Sequence, residues 1–475
     1  MSRIRGDRET GCFLMDKTDA RGTSAKTTGA GVSLEKPLFP PSEKKRVLEN
    51  ILSLGLLQGA NYLLPLVSFP YLARVLGAEK FGLIMFAQSL IAYFNAVTEY
   101  GFNLSATREI AISRADKERV SRVFSEVIFA KLALMISSFF LLLILLFTFE
   151  KFGEYKLLYL LTFGAILGQA IMPNWLFQGM EQMKFISALN ISARAIFLVL
   201  IFLIIKKPDD FIIVPLLNAL GMLTAGIVGL VLAKVRFGLS LNMPSLKGML
   251  DKLRSGWNLF VSTVAITLYR NSNVFLLGLV ASYNIVGYYA IAEKIVKAVQ
   301  SMITPVTQSL FPFIGRKFTA LTIMESVKTL LRLSRYYFLI LLTLSVAIVL
   351  FQPVIARVFL PGSIESFKHD IIIMSVAIVF GGLSALLGLV GLINLERQRD
   401  FTLFVVVVGL VNLPVCLTLS YYLQDIGSSL ALLISELLLF TLCSARLRKI
   451  YIHEKAHPTN KSVTVSDSIL DEFAV

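Results

Sequence analysis

The chain has 475 residues, of which 56% are hydrophobic and only 16% are charged, and its mean hydropathy is +0.73. Soluble domains average about 25% charged residues, so this composition excludes an ordinary soluble enzyme, a disordered scaffold and a collagen-like fibre. The net charge of +15 falls in short segments between hydrophobic runs. That distribution is typical of membrane topology signals and argues against a nucleic-acid partner.

Both ends of the chain are predicted to be disordered cytoplasmic tails. Residues 1–46 are polar and rich in Gly, Ser, Thr and Pro, and residues 451–475 are also polar. The first segment has no apolar stretch followed by a small-residue cleavage site, so we do not interpret it as a signal peptide.

Between the tails, long hydrophobic runs predict an all-α polytopic membrane protein. A bilayer core requires about 20 apolar residues for each helix that crosses it. About twelve transmembrane helices are predicted, at residues 48–74, 81–105, 122–149, 155–178, 183–205, 210–234, 257–281, 286–313, 331–352, 370–395, 400–422 and 427–446.

The charges of the connecting segments predict the orientation of these spans. Alternate connections, together with residues 44–46 before the first span and 446–449 after the last, carry 24 Lys and Arg residues, whereas the intervening connections carry 8. Basic residues accumulate on the cytoplasmic side, so both termini are predicted to be cytoplasmic. The resulting domains are an N-lobe at 47–235 (helices 1–6), a cytoplasmic linker at 236–256 and a C-lobe at 257–450 (helices 7–12).

The sequence also contains an internal repeat, in which the second half resembles the first. A shift of 205 residues places Leu72 on Leu277, Val75 on Val280 and Gly82 on Gly287. The same shift superposes a polar stripe of span two on a polar stripe of span eight, with Asn95 on Gln300. Two halves of six spans each have the same orientation, so a symmetry axis along the membrane normal and a central cavity between the lobes are predicted.

Several polar side chains lie within the predicted spans, where an ionisable group costs roughly 2.5–3.5 kcal/mol and should face protein or water. Arg270 lies near the middle of span seven, and Arg194 lies near the middle of span five. The guanidinium is a planar donor that suits phosphate groups, and amides suit sugar hydroxyls. The predicted substrate-binding residues are Arg270, Arg194, Lys297, Asn271, Thr267, Asn95 and Gln300.

The carboxylates of the spans are candidates for ion coupling. Glu99 has no basic residue one turn away in its own span, whereas Glu293 has Lys297 at i+4. Glu99 is therefore predicted to be the better proton carrier, and Glu293–Lys297 is open to interpretation as a simple intrahelical ion pair. Glu126 and Lys131 are interpreted as boundary residues whose side chains reach the interface.

A catalytic or metal centre is not predicted. The only cysteines are Cys12, Cys416 and Cys443, and the three histidines all fall outside the apolar segments. These residues are too few and too scattered for a disulfide framework or a zinc site. No cofactor and no enzymatic activity are expected.

Four segments, Pro70–Gly82, Glu99–Glu109, Asn174–Lys184 and Val286–Lys294, closely resemble the polysaccharide repeat-unit (O-antigen and exopolysaccharide) flippases of the multidrug/oligosaccharidyl-lipid/polysaccharide exporter superfamily. The resemblance covers about residues 45–450. It implies a twelve-helix, two-lobe fold in the bacterial inner membrane and transport of an undecaprenyl-diphosphate-linked oligosaccharide. A complex with a polysaccharide polymerase and a chain-length regulator is a further implied partnership.

Two other functions are open at this point. A multidrug or cation antiporter of the same superfamily is one alternative, although the charges at mid-depth are mainly basic. A membrane polysaccharide polymerase or ligase is the other, although the outer loops are short. The flippase is the favoured interpretation.

Overall fold

The computed structural model describes residues 41–319, 321–359 and 365–456, and it describes the backbone alone for residues 41–55, 58, 61–63, 269, 270, 365 and 366. The described chain is almost entirely helical. Its helices are α1 (Pro41–Glu99), α2 (Phe102–Ile112), α3 (Lys117–Thr148), α4 (Glu150–Gly153), α5 (Lys156–Ile171), α6 (Asn174–Gly179), α7 (Met183–Ile204), a 3-10 helix (Pro208–Ile212), α8 (Ile213–Phe237), α9 (Leu246–Val280), α10 (Tyr283–Thr319), α11 (Ile323–Phe359), α12 (Glu365–Ala385), a π-helical segment (Leu386–Leu392) and α13 (Gln398–Ala456).

Every predicted span corresponds to a long helix in this structure. α1 and α13 each hold two spans, joined without a loop at kinks where Gly77 (φ 76°) and Gln424 (φ 53°) leave helical geometry. In the described part of the chain, eight helices are long and apolar enough to cross a membrane by length and composition. The helices α9 and α10 fill the predicted positions seven and eight.

Several helix boundaries differ from the prediction. The second span ends at Glu99, because Gly101 adopts a left-handed conformation (φ 79°) and starts the separate helix α2. The fourth span ends at Ile171, ahead of Pro173, which has no N–H to continue the helix. α1 starts at Pro41 and α13 continues to Ala456, so each extends six residues into a segment predicted as a tail. The rest of both predicted tails lies outside the described residues.

Apolar side chains form one large buried cluster that includes residues of both halves, among them Phe86, Tyr159 and Tyr289. Other large apolar side chains remain exposed on the outside of the helices, such as Phe147 (73%) and Leu350 (71%). Because lipid is the natural solvent of such a surface, this distribution fits a membrane-spanning bundle.

We name the two ends of the bundle by their connections. The basic end carries α2, the 238–245 segment and the 393–397 turn, and the opposite end carries the 149–155, 205–212 and 281–282 connections. Most basic residues of the connections lie at the basic end, as the sequence indicates.

The two halves meet at a reciprocal crossing of α1 and α10 at the opposite end. A methyl group added to Gly82 would overlap the carbonyl oxygen of Tyr283, and one added to Gly287 would overlap the carbonyl oxygen of Ala78. The 205-residue shift carries Ala78 to Tyr283 and Gly82 to Gly287. Each contact is therefore the image of the other, as a two-fold relation between the halves requires.

Two further contacts between the halves lie at the same end, and each places a cation on the last carbonyls of a helix. Lys151 Nζ donates to the carbonyl oxygens of Leu279 (3.0 Å) and Ala281 (3.5 Å), beside the end of α9. Arg74 donates to the carbonyl oxygens of Val358 (2.5 Å) and Arg357 (3.3 Å), at the end of α11. Carbonyls at a helix C-terminus lack intrahelical partners and attract cations.

These two contacts, which we call the cation latches, also obey the internal repeat. The shift carries Arg74 to Leu279, and it carries Lys151 to Ala356, the neighbour of Arg357. In one latch the donor Lys151 meets Leu279, the repeat equivalent of Arg74. In the other latch the donor is Arg74 itself, and it meets Arg357, next to the repeat equivalent of Lys151. An axis along the membrane normal keeps shift-related contacts at one end, so the latches support the parallel repeat.

Candidate substrate site and its ion pairs

The centre of span seven was the first choice for a substrate site. The side chain of Arg270 lies outside the described residues. Its neighbour Asn271 is half-buried. Thr267 donates its hydroxyl to the Thr263 carbonyl of its own helix, at 2.8 Å, so only its acceptor positions remain for a ligand.

Arg194, on α7, keeps a donor free. It is half-buried, and its Nε is shielded from solvent without a hydrogen-bond partner among the described residues. One turn earlier, Asn190 donates to the Ile186 carbonyl at 2.9 Å. An unsatisfied buried donor on a charged group is costly, so the guanidinium has a physical reason to accept an anionic ligand.

Lys297 and Glu293 form an ion pair on α10, with 3.0 Å between Lys297 Nζ and Glu293 Oε1. The glutamate side chain is 4% exposed, whereas the lysine side chain is 39% exposed. The predicted pair is therefore confirmed as a contact. The lysine is thus the member of the pair that lies nearer to solvent.

Glu99 is part of a buried ion pair that the sequence did not reveal. Lys131 Nζ of α3 donates to Glu99 Oε1 at 2.9 Å and to the Gln169 carbonyl at 3.0 Å. Asn103 donates to the other oxygen, Glu99 Oε2, at 2.9 Å. The interpretation of Lys131 as a residue that reaches the membrane interface is wrong, because its side chain is 1% exposed. Glu99 thus has a cationic partner from a neighbouring helix.

Glu126 also has partners that the sequence concealed. Its carboxylate lies 3.6 Å from Lys252 Nζ on α9, and the same ammonium contacts Glu109 on α2. The Glu126 side chain is 11% exposed. It therefore does not extend to the interface as predicted; instead it ties α3 to the first turns of α9 at the basic end.

The two predicted amides differ in their contacts. Asn95, on the second span of α1, is half-buried and its buried Oδ1 has no hydrogen-bond partner among the described atoms. Gln300, on α10, is half-buried. Lys297 lies next to Glu293, whereas among the described residues no hydrogen bond or ion pair joins Arg194, Asn95 and Gln300 to one another. The predicted set is thus spread over α1, α7, α9 and α10.

A buried hydrogen-bond chain in the second half was not predicted at all. Asn412 donates to Asn273 Oδ1 at 2.8 Å, and Ser435 donates to Asn412 Oδ1 at 2.9 Å. Tyr93 of the first half donates to Ser272, the neighbour of Asn273, at 3.1 Å. In the sequence, only the isolated amides Asn273 and Asn412 within apolar runs indicated these hydrogen bonds.

The sequence of the first half and of the start of the second matches a known family. Residues 47–318, more than half of the chain, match the family described as polysaccharide biosynthesis protein. The chain belongs to this family.

Two curated proteins are similar to this chain over nearly their whole lengths. The "Putative O-antigen transporter" of Escherichia coli (strain K12) is 28% identical over 404 residues, which cover 84% of this chain and 96% of that protein. The protein of the same name from Shigella dysenteriae is 26% identical over 396 residues, covering 82% and 97%. Both relatives are named as transporters.

Solved structures with the same fold are transporters of the MATE family. An inward-facing multidrug resistance MATE transporter of the MOP superfamily has a TM-score of 0.65 at 15% identity, covering 86% of this chain and 100% of that chain. The eukaryotic MATE transporter AtDTX14 gives a TM-score of 0.57 at 12% identity, covering 87% and 99%. These proteins have twelve helices in two lobes, which confirms the predicted fold for this member of the polysaccharide biosynthesis family.

Proposed function

We propose that this protein is a flippase that moves undecaprenyl-diphosphate-linked oligosaccharide repeat units across the bacterial inner membrane, for O-antigen or exopolysaccharide biosynthesis. Its family and the transporter names of its relatives support a transporter for this biosynthesis. The lipid-linked cargo and the alternating-access mechanism are the further content of the proposal.

The observation that carries the proposal is the unsatisfied donor of Arg194. A guanidinium held within a membrane span needs an anionic partner, and the diphosphate of the carrier lipid supplies one with matching planar geometry. Lys297 offers a second cation, since its ammonium is partly accessible beside Glu293. The half-buried amides Asn95, Asn271 and Gln300 suit the hydroxyl groups of the sugars.

The contacts between the halves suggest which side is closed. The glycine crossing and both cation latches join the halves at the end opposite the basic loops. If the basic end is cytoplasmic, as the charge asymmetry predicts, these contacts close the outer side. At the basic end α9 also contacts the first half, through Lys252 with Glu109 and Glu126 and through Phe260 with Tyr100. Transport then requires the latches to break.

The test combines cells with reconstituted protein. In a deletion strain, lipid-linked intermediates should accumulate on the cytoplasmic face and surface polysaccharide should be lost. In proteoliposomes, Arg194→Ala should abolish translocation of the lipid-linked oligosaccharide, Arg194→Lys should retain part of it, and Arg335→Ala, on an exposed arginine of α11, should match the wild type.

Two results would contradict the proposal. Accumulation of the intermediate on the outer face would indicate a polymerase or ligase. Efflux of cationic drugs by the purified protein, with no effect of Arg194→Ala on polysaccharide, would indicate the multidrug antiporter instead.

A further inference from the structure

Two aspartates of the second half, Asp370 and Asp425, are buried. Asp370 lies near the start of α12 and is 0% exposed, and Asp425, which follows the kink of α13, is 7% exposed. Their carboxylates lie close enough to interact electrostatically. α12 begins, and α13 kinks, at the end opposite the basic loops. The pair therefore lies near the proposed outer side.

In each carboxylate, one oxygen accepts a hydrogen bond and the other does not. Ser429 donates its hydroxyl to Asp370 Oδ1 at 2.6 Å. Asp425 accepts the backbone N–H of Ile426, in the first turn of the helix after Gln424. The second oxygen of each group, Asp370 Oδ2 and Asp425 Oδ2, is shielded from solvent and has no hydrogen-bond partner.

Burying two carboxylates without a partner is unfavourable by several kcal/mol per ion. Two glutamates within the bundle, Glu99 and Glu293, are by contrast each paired with a lysine within 3.0 Å. Among the described residues, no lysine or arginine nitrogen lies within ion-pair distance of Asp370 or Asp425. Their charge must therefore be balanced by something that arrives from solution.

The groups around the pair do not supply this balance. Tyr289 of α10 interacts electrostatically with Asp370 and also with Glu293 and Cys416. The two lysines beside Glu293, Lys294 and Lys297, interact with that glutamate. His369, next to Asp370 in sequence, interacts with Asp425 from an exposed position. The backbone N–H of Ile426 and this histidine favour the anion of Asp425, whereas Asp370 has only the Ser429 hydroxyl.

We propose that Asp370 and Asp425 form an exchangeable site for a monovalent cation, a proton or Na⁺, held between their free oxygens and supported by Ser429. Ca²⁺ prefers six to eight oxygen ligands, whereas this site offers two free carboxylate oxygens beside one hydroxyl. The binding of a cation at this site is independent of the proposed function. A role of that cation in driving transport rests on the proposed function.

Because the two aspartates lie on different helices, a cation bound between them would affect how those helices pack. Asp370 belongs to α12, whereas Ser429 and Asp425 belong to the last span of α13, immediately after the kink at Gln424. An ion between the two aspartates attracts these helices to each other, and its release leaves two like charges that repel. Occupancy therefore changes how α12 packs against the end of the kink.

The test measures binding on the purified full chain without any lipid cargo. Thermal unfolding is followed at about pH 8, where an ordinary aspartate is ionised, in NaCl and in choline chloride of equal ionic strength. Infrared spectra then record protonated carboxyl groups between about pH 8 and pH 5. The variants are Asp370→Asn, Asp425→Asn and Ser429→Ala, and Asp251→Asn, on an exposed aspartate of α9, is the control.

Two outcomes support the site and distinguish its ligand. If Na⁺ binds, it raises the unfolding midpoint of the wild type in a saturable way, both Asn variants lose the effect, and Ser429→Ala weakens apparent affinity by about 10–100-fold, as loss of a supporting group does. If a proton binds, choline and Na⁺ act alike, stability falls as pH rises, and an infrared carboxyl band disappears in Asp370→Asn.

A wild type with neither a Na⁺ response nor a buried carboxyl band overturns the proposal. So does a response that Asp370→Asn and Asp425→Asn both retain. Because the measurement uses no cargo, failure of the flippase assay leaves this result intact. Conversely, an empty site does not bear on whether the protein moves a lipid-linked sugar.

Discussion

Gly82 and Gly287 lie against each other at the point where α1 crosses α10, so that a methyl group on Gly82 would lie 2.9 Å from the Gly287 α-carbon. The same two residues coincide when the sequence is shifted by 205 positions. The two glycines that match in the internal repeat are therefore also the two at which the backbones of the halves approach closely. Only a residue without a side chain permits this approach.

The first prediction concerns this crossing. Gly82→Ala and Gly287→Ala should each separate the halves at the opposite end, because overpacking costs about 1–3 kcal/mol. Spin labels at Glu79 and Asn284, which are exposed and related by the same shift, report the separation. Both variants should raise the population at longer distance by about 5–150-fold.

Gly59→Ala is the matched control, since an added methyl group there meets nothing within 4 Å. It should leave the distance distribution unchanged. Unchanged distributions in both Gly82→Ala and Gly287→Ala would contradict the role of the crossing as the closed contact.

The second prediction concerns the cation latches. Lys151→Gln and Arg74→Gln should each weaken closure, since hydrogen bonds from charged donors contribute about 1.5–3 kcal/mol when buried. Burial lowers the pKa of the Lys151 ammonium, and Arg74 is exposed, so the lysine variant should have the larger effect. The same spin-label pair measures the change.

Lys207→Gln, at an exposed lysine of the same end, controls for charge removal. The two latches are shift-related, so we expect the double variant to favour the separated state more than either single variant. A double variant that remains closed would show that the latches are incidental to closure.

The third prediction separates stability from transport at Glu99. Glu99→Gln should destabilise the protein by about 3–5 kcal/mol, because it leaves the buried Lys131 ammonium without its partner. Adding Lys131→Met should restore most of the lost stability. Thermal unfolding in mild detergent measures both effects, and Glu118→Gln, whose side chain is 88% exposed, should change stability by less than about 0.5 kcal/mol.

The stable double variant then tests coupling. If Glu99 carries protons, transport by the double variant should no longer depend on external pH. Glu293→Gln should have the smaller effect on transport. Retained pH dependence would remove Glu99 from the mechanism and leave its pair with Lys131 as a structural tie between α1 and α3.

The fourth prediction tests orientation with a membrane-impermeant thiol reagent in whole cells. Cysteines at Ala115 and Lys317, both exposed at the basic end, should be shielded, whereas one at Lys207 should react. Cys416 and Cys443 are buried, so they contribute little background once Cys12 is replaced by serine. Labelling at Ala115 would reverse the predicted topology.

The lengths of the apolar runs were sufficient to predict the membrane-spanning helices, because the bilayer sets the length of each span. The break between the last two predicted spans, at 423–426, contains Gln424. Its form, a kink without a loop, was not predicted, since no proline or glycine occupies position 424. Partners across helices were also hidden. Lys131 looked like a boundary residue because its partner Glu99 is 32 positions away in sequence.

Asp370 and Asp425 were missed because each falls at the edge of a predicted span, where an aspartate is ordinarily solvated. Their burial depends on how α12 packs against the last span of α13. A pattern within one helix does not encode that packing. Gly82 and Gly287 were found in sequence as a repeat match, but their mutual contact required the three-dimensional arrangement.

The reciprocal crossing has a consequence for how such a chain arises by duplication. A contact in which each residue meets the image of its partner is isologous, the kind that joins identical subunits in two-fold dimers. A single six-helix chain with a glycine at this position would meet its own copy in the same way. The contact geometry of a homodimer is thereby reproduced within one polypeptide, although the two halves carry different buried charges, Glu99 with Lys131 in the first and Asp370 with Asp425 in the second.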